Sequence, residues 1–526
     1  MSFSALLLSV AVLAHDPGYF TSLANHLARW LKSEHIAATV STPATMKAAL
    51  KNERVAFLVG FAKPTAAEMA ALRSFRQRGG KLVVFYSAAP ALAELMGVKI
   101  LGYQAAAYPG RWSRMDFVSK EPQGLPASIR QTSSVLLRAA PGPGGKVLAT
   151  WTDRSGRPTG DAAWIATNAG YWMTHVLLAD GDEDLKARLL GALTGSLVPG
   201  LWSFTAHRSR QQAKAADFLA YARSQRPRAG EIHAVWEHSG CGLFPGNWAK
   251  TISVLKSAHV TDLFVNVAGA GFAHYPSGLL PRSKIFAEEG DQLAAVLKAA
   301  AGSGIRVHAW VLCFSATRGS AERLEVFKQR GWRLADSKGR LTEYLDPAKA
   351  EVRSYILSAV EELQTKYPAL SGIHLDFVRY GDSAVKPANA SAAVTKFLVE
   401  ARRRVKRPRW LTAAVYGKYP NCVATVGQDW VSWLDMNLID YAVPMTYTES
   451  NEKFREYLTL PASKPSRARR IIAGIGVTAN ESRLDARKVI EQIRIAREFN
   501  LAGEAMFDLD VTLEKLIFPY LRAAIW

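Results

Sequence analysis

From residue 231 to the C-terminal end, short apolar runs alternate with amphipathic segments. The runs are IHAVWEH (232–238), DLFVNVAG (262–269), RVHAWVLCF (306–314), GIHLDF (372–377), LTAAVY (411–416), IDYAVPMTY (439–447), RIIAGIGV (470–477) and GEAMFDLD (503–510). They are short, bounded by turn residues and rich in β-branched and aromatic side chains, which predicts strands. Between and after them lie segments with apolar residues at helical spacing: NWAKTISVLKSA, DQLAAVLKAAAGSG, PAKAEVRSYILSAVEELQTKY, AVTKFLVEARRRV, QDWVSWLDM, EKFREYL, LDARKVIEQIRIAREF and LEKLIFPYLRAA. Eight strands alternating with eight helices is the pattern of a (β/α)8 TIM barrel, here expected over 231–526.

The first part of the chain, 1–205, has a looser βαβα rhythm. VAVLAH is followed by a helical stretch from Tyr19 to Ser33, then VAFLVGF (55–61), AAEMAALRSFRQRGG and KLVVFYS (81–87). This predicts a smaller α/β domain with a parallel sheet. The shorter pieces VLLRA, KVLATW and WMTHVLL are expected to continue that sheet or add a small antiparallel extension. Residues 206–230, ending in Arg226-Pro227-Arg228 and Gly230, are expected to form a basic helical linker.

With 526 residues, 49% of them hydrophobic, the chain has ample material for more than one core. No apolar run approaches the roughly 18–20 residues that span a bilayer. The N-terminal MSFSALLLSVAVLAHDPG has the apolar length of a secretory leader but no Lys or Arg ahead of it. A cleaved leader fits a secreted or cell-envelope protein; a first buried strand fits a cytoplasmic one. The net charge is +21, concentrated in 207–230 and in EARRRVKRPRW (400–410). Such stretches suit an anionic polymer or solvated helix faces. Neither has the aromatic interleaving of nucleic-acid modules, so no nucleic-acid partner is expected. The three cysteines, Cys241, Cys313 and Cys422, have no metal-binding spacing, and no metal, cofactor or disulfide framework is expected. Oligomeric state is not legible.

In a TIM barrel the active site forms at the C-terminal ends of the strands. Strand alternation puts Ile373, Leu375 and Phe377 on one face of the fourth strand, toward the helices, and His374 and Asp376 on the other, facing inward. Asp376 falls at the barrel mouth, where a carboxylate must be hydrogen-bonded or chemically employed. On the third strand His308, Trp310 and Leu312 share a face, which places Trp310 near the mouth as a surface for a sugar ring. Other strand ends supply Trp236, Glu237 and His238, then Asn266, Tyr416, Tyr447, Asp508 and Asp510. Aromatics mixed with carboxylates and amides suit a polyol, so the expected partner is a carbohydrate. Each residue also has a structural reading. His374 fits a satisfied inner-barrel histidine, and Asp346, Asp429 and Asp510 fit helix caps.

These motifs, in this order, resemble the glycosyl hydrolase-like family 10 group of bacterial TIM-barrel proteins. The resemblance rests on HAVW, VHAWV, LDPAKAEVRSYI, GIHLDFVRY, VGQDWVSWL with LIDYAVPMTY, and AGIG with QIRIAREFNLAGEAMF, over about residues 231–510. It implies a glycosidase with an acid at the end of the fourth strand, here Asp376. Relatives carry a second acid directly after it, where this chain has Phe377. RGGKLVVFYS likewise resembles class I glutamine-amidotransferase-like domains, but no cysteine precedes Cys241, so no thiol nucleophile exists there. That domain is read as a non-catalytic accessory.

Glycoside hydrolysis uses two carboxyl groups. Asp376 is the expected nucleophile or base. The acid is sought among Asp508, Glu237 and Glu449, with Asp508 preferred because the eighth strand lies across the mouth from the fourth. Trp236, Asn266, His308, Trp310, His374, Arg379, Tyr380, Tyr416 and Tyr447 are the expected substrate-binding residues, Arg379 either orienting Asp376 or binding an anionic sugar. Two other readings stand beside this one. They are a carbohydrate-binding pseudoenzyme without a working acid pair, and a basic scaffold for anionic polymers.

Overall fold

The computed structural model describes residues 9–15, 18–108, 110–153, 156–179 and 182–526. The first eight residues of the apolar leader and the Asp16-Pro17 turn lie outside them. The chain divides into two compact units, Met1–Lys214 and Ala215–Trp526.

The second unit is a closed barrel of eight parallel strands: β1 (Ile232–Glu237), β2 (Asp262–Gly269), β3 (Arg306–Leu312), β4 (Gly372–Asp376), β5 (Trp410–Tyr416), β6 (Tyr441–Met445), β7 (Ile472–Gly476) and β8 (Gly503–Phe507). Each pairs with the next, and β8 pairs back onto β1. A short strand, Phe272–Ala273, folds back antiparallel on β2.

Alternation divides the side chains into two layers. Val235, Leu263, Val265, Val307, Ile373 and Leu375 pack outward against the helices. Ala234, Trp236, Phe264, Trp310, Ala414 and Val443 fill the interior. Phe377 departs from the expected outward face. Its backbone turns left-handed (φ 50°) directly after Asp376, and its ring joins the interior cluster. A non-glycine residue in this region is uncommon, and here it ends the strand's alternation at the mouth.

The first unit holds a nine-stranded sheet. Ala37–Ser41, Ser9–Ala14, Val55–Val59, Lys81–Phe85 and Gly170–Met173 run parallel, in that spatial order. Pro158–Thr167, Lys146–Thr152, Trp112–Phe117 and Ser128–Ser133 extend it antiparallel. Val10, Val12, Phe57 and Val83 face one buried layer; Ala11, Leu13, Leu58 and Leu82 face the other. Ser87, at the strand end, closes a turn: its hydroxyl donates to the Phe61 carbonyl and accepts from Ala89 N.

Most of the expected linker forms the helix Phe204–Arg223. Phe218 and Ala222 are buried in the barrel unit's core. Asp429 caps its helix as expected, accepting from Ser432 N, and Asp510 accepts from Leu513 N. Asp346 is not the cap of the helix Ala350–Lys366. It accepts from Ala348 N in the turn ahead, and the helix begins after Lys349 without a side-chain cap.

Candidate active site

The barrel interior is built upward from a fixed histidine. His374 is fully buried and stacks on Phe264 with ring centroids 4.1 Å apart. Its Nε2 lies 2.8 Å from Trp236 Nε1, and its Nδ1 lies 2.8 Å from Thr412 Oγ1. An indole N–H only donates, so Nε2 accepts and Nδ1 carries the ring proton and donates to Thr412. Burial, helped by His308, pushes the imidazole well below its ordinary value. His374 is therefore a neutral internal prop rather than a group that meets substrate.

One layer higher sits Asp376, 5% exposed at the end of β4. Its Oδ2 accepts from Trp310 Nε1 at 3.2 Å. Its Oδ1 accepts from Phe377 N at 2.5 Å and, at 3.5 Å, from Arg379 Nη1. Burial raises its pKa, while the Arg379 charge, the Phe377 N–H and the Trp310 N–H oppose the rise; burial prevails. All three neighbours donate and none accepts, so the contacts favour the ionised form. The result is a carboxylate that is a stronger base than a solvated aspartate. The Arg379 guanidinium lies between the rings of Phe377 (4.1 Å) and Tyr416 (4.6 Å). The Tyr416 hydroxyl donates to Asp382 at 2.8 Å. Burial and Asp382 push that phenol up to about 12 against the pull of Arg379.

The other side of the mouth is formed by β1, β6 and β8. Asp508, half-buried, accepts from Thr478 Oγ1 at 2.8 Å. Tyr447 stacks on Phe507 at 5.4 Å and meets Trp236 edge-on. His238 lies 5.7 Å from the Trp310 ring and 6.0 Å from the Phe507 ring. Burial lowers its pKa, Asp508 and Asp376 raise it, and Arg318 lowers it. Asp376, Asp508, His238 and Tyr447 thus share one electrostatic environment, since Tyr447 also feels both carboxylates. His238 ends the first apolar run and stands among the strand-end residues, but a lone histidine there carried no sign of a catalytic role.

Three expected residues do not line the mouth. Glu237 faces its own loop, because it follows the inward Trp236 by one residue. Its carboxylate accepts from Ser239 N (3.1 Å), the Ser239 hydroxyl, Gly240 N (2.7 Å) and Gly242 N (3.2 Å). Burial raises its pKa against those bonds. His308 is inward but at the opposite end of the barrel, 2.8 Å from Asp262, which Arg306 also grips. Tyr380 lies beyond the left-handed turn and is buried in the outer layer, its hydroxyl 3.5 Å from Asp346. Asn266 and Trp310 are inward neighbours in register, both buried; Trp310 supports Asp376 more than it presents an open face. Glu449 is exposed and accepts from Arg483 N.

Among the described residues, one set could hold a metal by proximity: Glu231, His233 and Glu504, with ligand atoms within 4.8 Å of one another. They lie at the N-terminal end of the barrel and already have partners. Arg497 grips Glu231, and Glu504 accepts from Trp526 Nε1 and pairs with His233 Nδ1. No helix among the described residues is long and apolar enough to cross a membrane.

The family model described as Glycosyl hydrolase-like 10 matches residues 244–411, a stretch that includes Asp376. No curated protein matches the chain. Among solved structures, the chain is similar to the PgaB (BpsB) glycoside hydrolase domain from Bordetella bronchiseptica. That match has 13% identity and a TM-score of 0.44, covering 56% of this chain and 99% of that one. It is also similar to the endo-1,4-beta-mannanase from Rhizomucor miehei (10% identity, 56% and 92% covered, TM-score 0.41). A third similar structure is the chitinase RmChi1 from the same organism (14% identity, 56% and 99% covered, TM-score 0.35).

Proposed function

We propose that the barrel hydrolyses O-glycosidic bonds of a polysaccharide or envelope glycan, with Asp376 as nucleophile or base and Asp508 as proton donor. The observation that carries this reading is the setting of Asp376. A carboxylate is buried at the C-terminal mouth of a barrel, surrounded by N–H donors, with a second carboxylate and a histidine in the same field. The glycosyl hydrolase-like match across residues 244–411 supports the same reaction class.

The division of labour follows from the contacts. Asp376 receives hydrogen bonds only from donors and is suited to hold charge beside a developing oxocarbenium ion or to take a proton from water. Asp508 is the more exposed group, reached by a single hydroxyl, and is free to meet a leaving oxygen. Tyr447, Phe507 and the Arg379-backed ring of Tyr416 offer apolar surface to sugar faces.

The test is turnover of a glycan panel by the full chain and by Asp376→Asn and Asp508→Asn. Each substitution is expected to lower kcat by about 10²–10⁴-fold while glycan binding persists. Variants as active as the parent would remove both residues from the mechanism. Binding without turnover by the parent itself would replace hydrolysis with a carbohydrate-binding role.

A further inference from the structure

Beside the candidate active site, two buried side-chain nitrogens without a partner among the described residues, Asn266 Nδ2 and His274 Nε2, are gathered with the Arg318 guanidinium. Asn266, fully buried on the inner face of β2, accepts from Arg318 Nη1 at 3.3 Å through Oδ1. That bond fixes which end of the amide is oxygen, so the unpartnered end is Nδ2, a donor. His274, 1% exposed, follows the short strand that folds back on β2. Its Nδ1 is 2.6 Å from Ser283 Oγ. Ser283 Oγ accepts from Phe286 N at 3.0 Å, and His274 Nδ1 is the one acceptor among the described residues within reach of its hydrogen, so the hydroxyl is assigned as the donor to Nδ1. The ring proton is then on Nε2, which has no partner among the described residues. Burial and the Arg318 charge hold His274 at about 3, so the ring stays neutral and Nε2 remains a donor at any physiological pH.

These groups are neighbours. The Arg318 guanidinium lies 4.7 Å above the Phe272 ring, and Phe272 packs 4.8 Å from the His274 ring. Gly240, at φ 79°, lies against the same edge of the ring: a Cβ there would come within 2.6 Å of His274 Cδ2, 3.1 Å of Nε2 and 2.9 Å of the Asn266 carbonyl oxygen, so the close approach requires glycine. Asn266 pairs in register with Trp310, the residue that holds Asp376, so one strand, β3, separates this cluster from β4. Glu237 attracts Arg318 but is occupied by its own loop.

We infer that Asn266, His274 and Arg318 form a subsite for the carboxylate of an acidic sugar residue, and that the glycan acted on is anionic. This rests on the carbohydrate reading of the barrel and deepens it. A sugar hydroxyl accepts but must also donate; the two unpartnered nitrogens and the guanidinium only donate, and Asn266 Oδ1 is already engaged by Arg318. A carboxylate only accepts, offers two oxygens and pairs with the guanidinium. The chain's net charge of +21 would raise the local concentration of such a polymer.

The test is calorimetric titration of full-length Asp376→Asn with uronate oligosaccharides (of galacturonate, of mannuronate, and of alternating glucuronate and N-acetylglucosamine) and with their carboxyl-reduced counterparts. At least one acidic series is expected to bind, about tenfold or more tighter than its reduced form. Adding Arg318→Ala is expected to remove that preference, and Asn266→Ala to weaken it. Reduced glycans binding as tightly as acidic ones would overturn the subsite and leave the carbohydrate reading intact. Acidic glycans binding with a preference indifferent to Arg318→Ala would overturn it too. Binding of neither kind would overturn both.

Discussion

The indole of Trp310 donates to a carboxylate that a barrel strand would otherwise leave without solvent or partner. A hydrogen bond to an ionised group contributes about 1.5–3 kcal/mol, and its effect is on the charged form alone. Trp310→Phe keeps the apolar ring and removes the donor. The Asp376 pKa, already raised by burial, should rise further, so the acidic limb of the kcat/KM profile should move to higher pH, with a loss of about 10- to 100-fold below it. A pH–rate profile over the acidic range checks this; an unmoved limb would separate Trp310 from the charge of Asp376. At this scale the sequence was legible where alternation alone decides. It placed His374 and Asp376 inward because a five-residue strand has only two faces. It misplaced Phe377 because one left-handed residue cancels the alternation, and nothing in the composition of FVRYG announces that turn. The ring therefore occupies the mouth next to Asp376, the place where the family resemblance puts a second acid.

Elements were easier to foresee than the loops that join them. Seven of the eight strands fall within the apolar runs and β5 starts one residue ahead of its run, at Trp410, because burial on both faces demands those runs. The loops follow no period. Glu237 was legible as a carboxylate at a strand end, but its direction depends on four donors at 239–242 that only the folded loop brings together. His274 and Arg318 belong to a fold-back strand and a loop and gave no signal at all. The loop reading has a direct check in Glu237→Gln. The amide presents a donor where the loop also presents donors, so the buried N–H groups of Gly240 and Gly242 compete for one oxygen. The expected cost is about 1–3 kcal/mol, seen as a lower thermal midpoint, with the shape of the pH–rate profile retained. Loss of the profile's basic limb at an unchanged midpoint would instead restore Glu237 as the acid.

Over the whole molecule the charge is large, but much of it is paired. In the basic stretch at 400–410, Arg402 and Arg407 converge on Asp440, and Arg404 meets Glu361. The anion-scaffold reading therefore has fewer free cations than the count of +21 suggests, and acid-sensitivity is better sought in buried groups. His274 and His374 are both held neutral by burial, below the ordinary histidine value. As pH falls below about 6.5, each of these two histidines takes up a proton in the unfolded chain that the folded barrel resists, so stability falls with pH. Asp262 acts lower down. Burial pushes its pKa up, but His308 and Arg306 outweigh burial and bring it down to about 2. Its contribution is complete above about 4, the unfolded aspartate value, and is lost as pH falls toward 2. Near pH 5 each histidine that stays neutral in the folded barrel should add about 1.4 kcal/mol per pH unit to the slope. Urea midpoints at several pH values measure it, and His374→Gln should remove about half, since only one proton is then refused. A slope that His374→Gln leaves unchanged would mean that His374 takes up a proton inside the barrel. That would require the Trp236 indole, which can only donate, to have let go of Nε2.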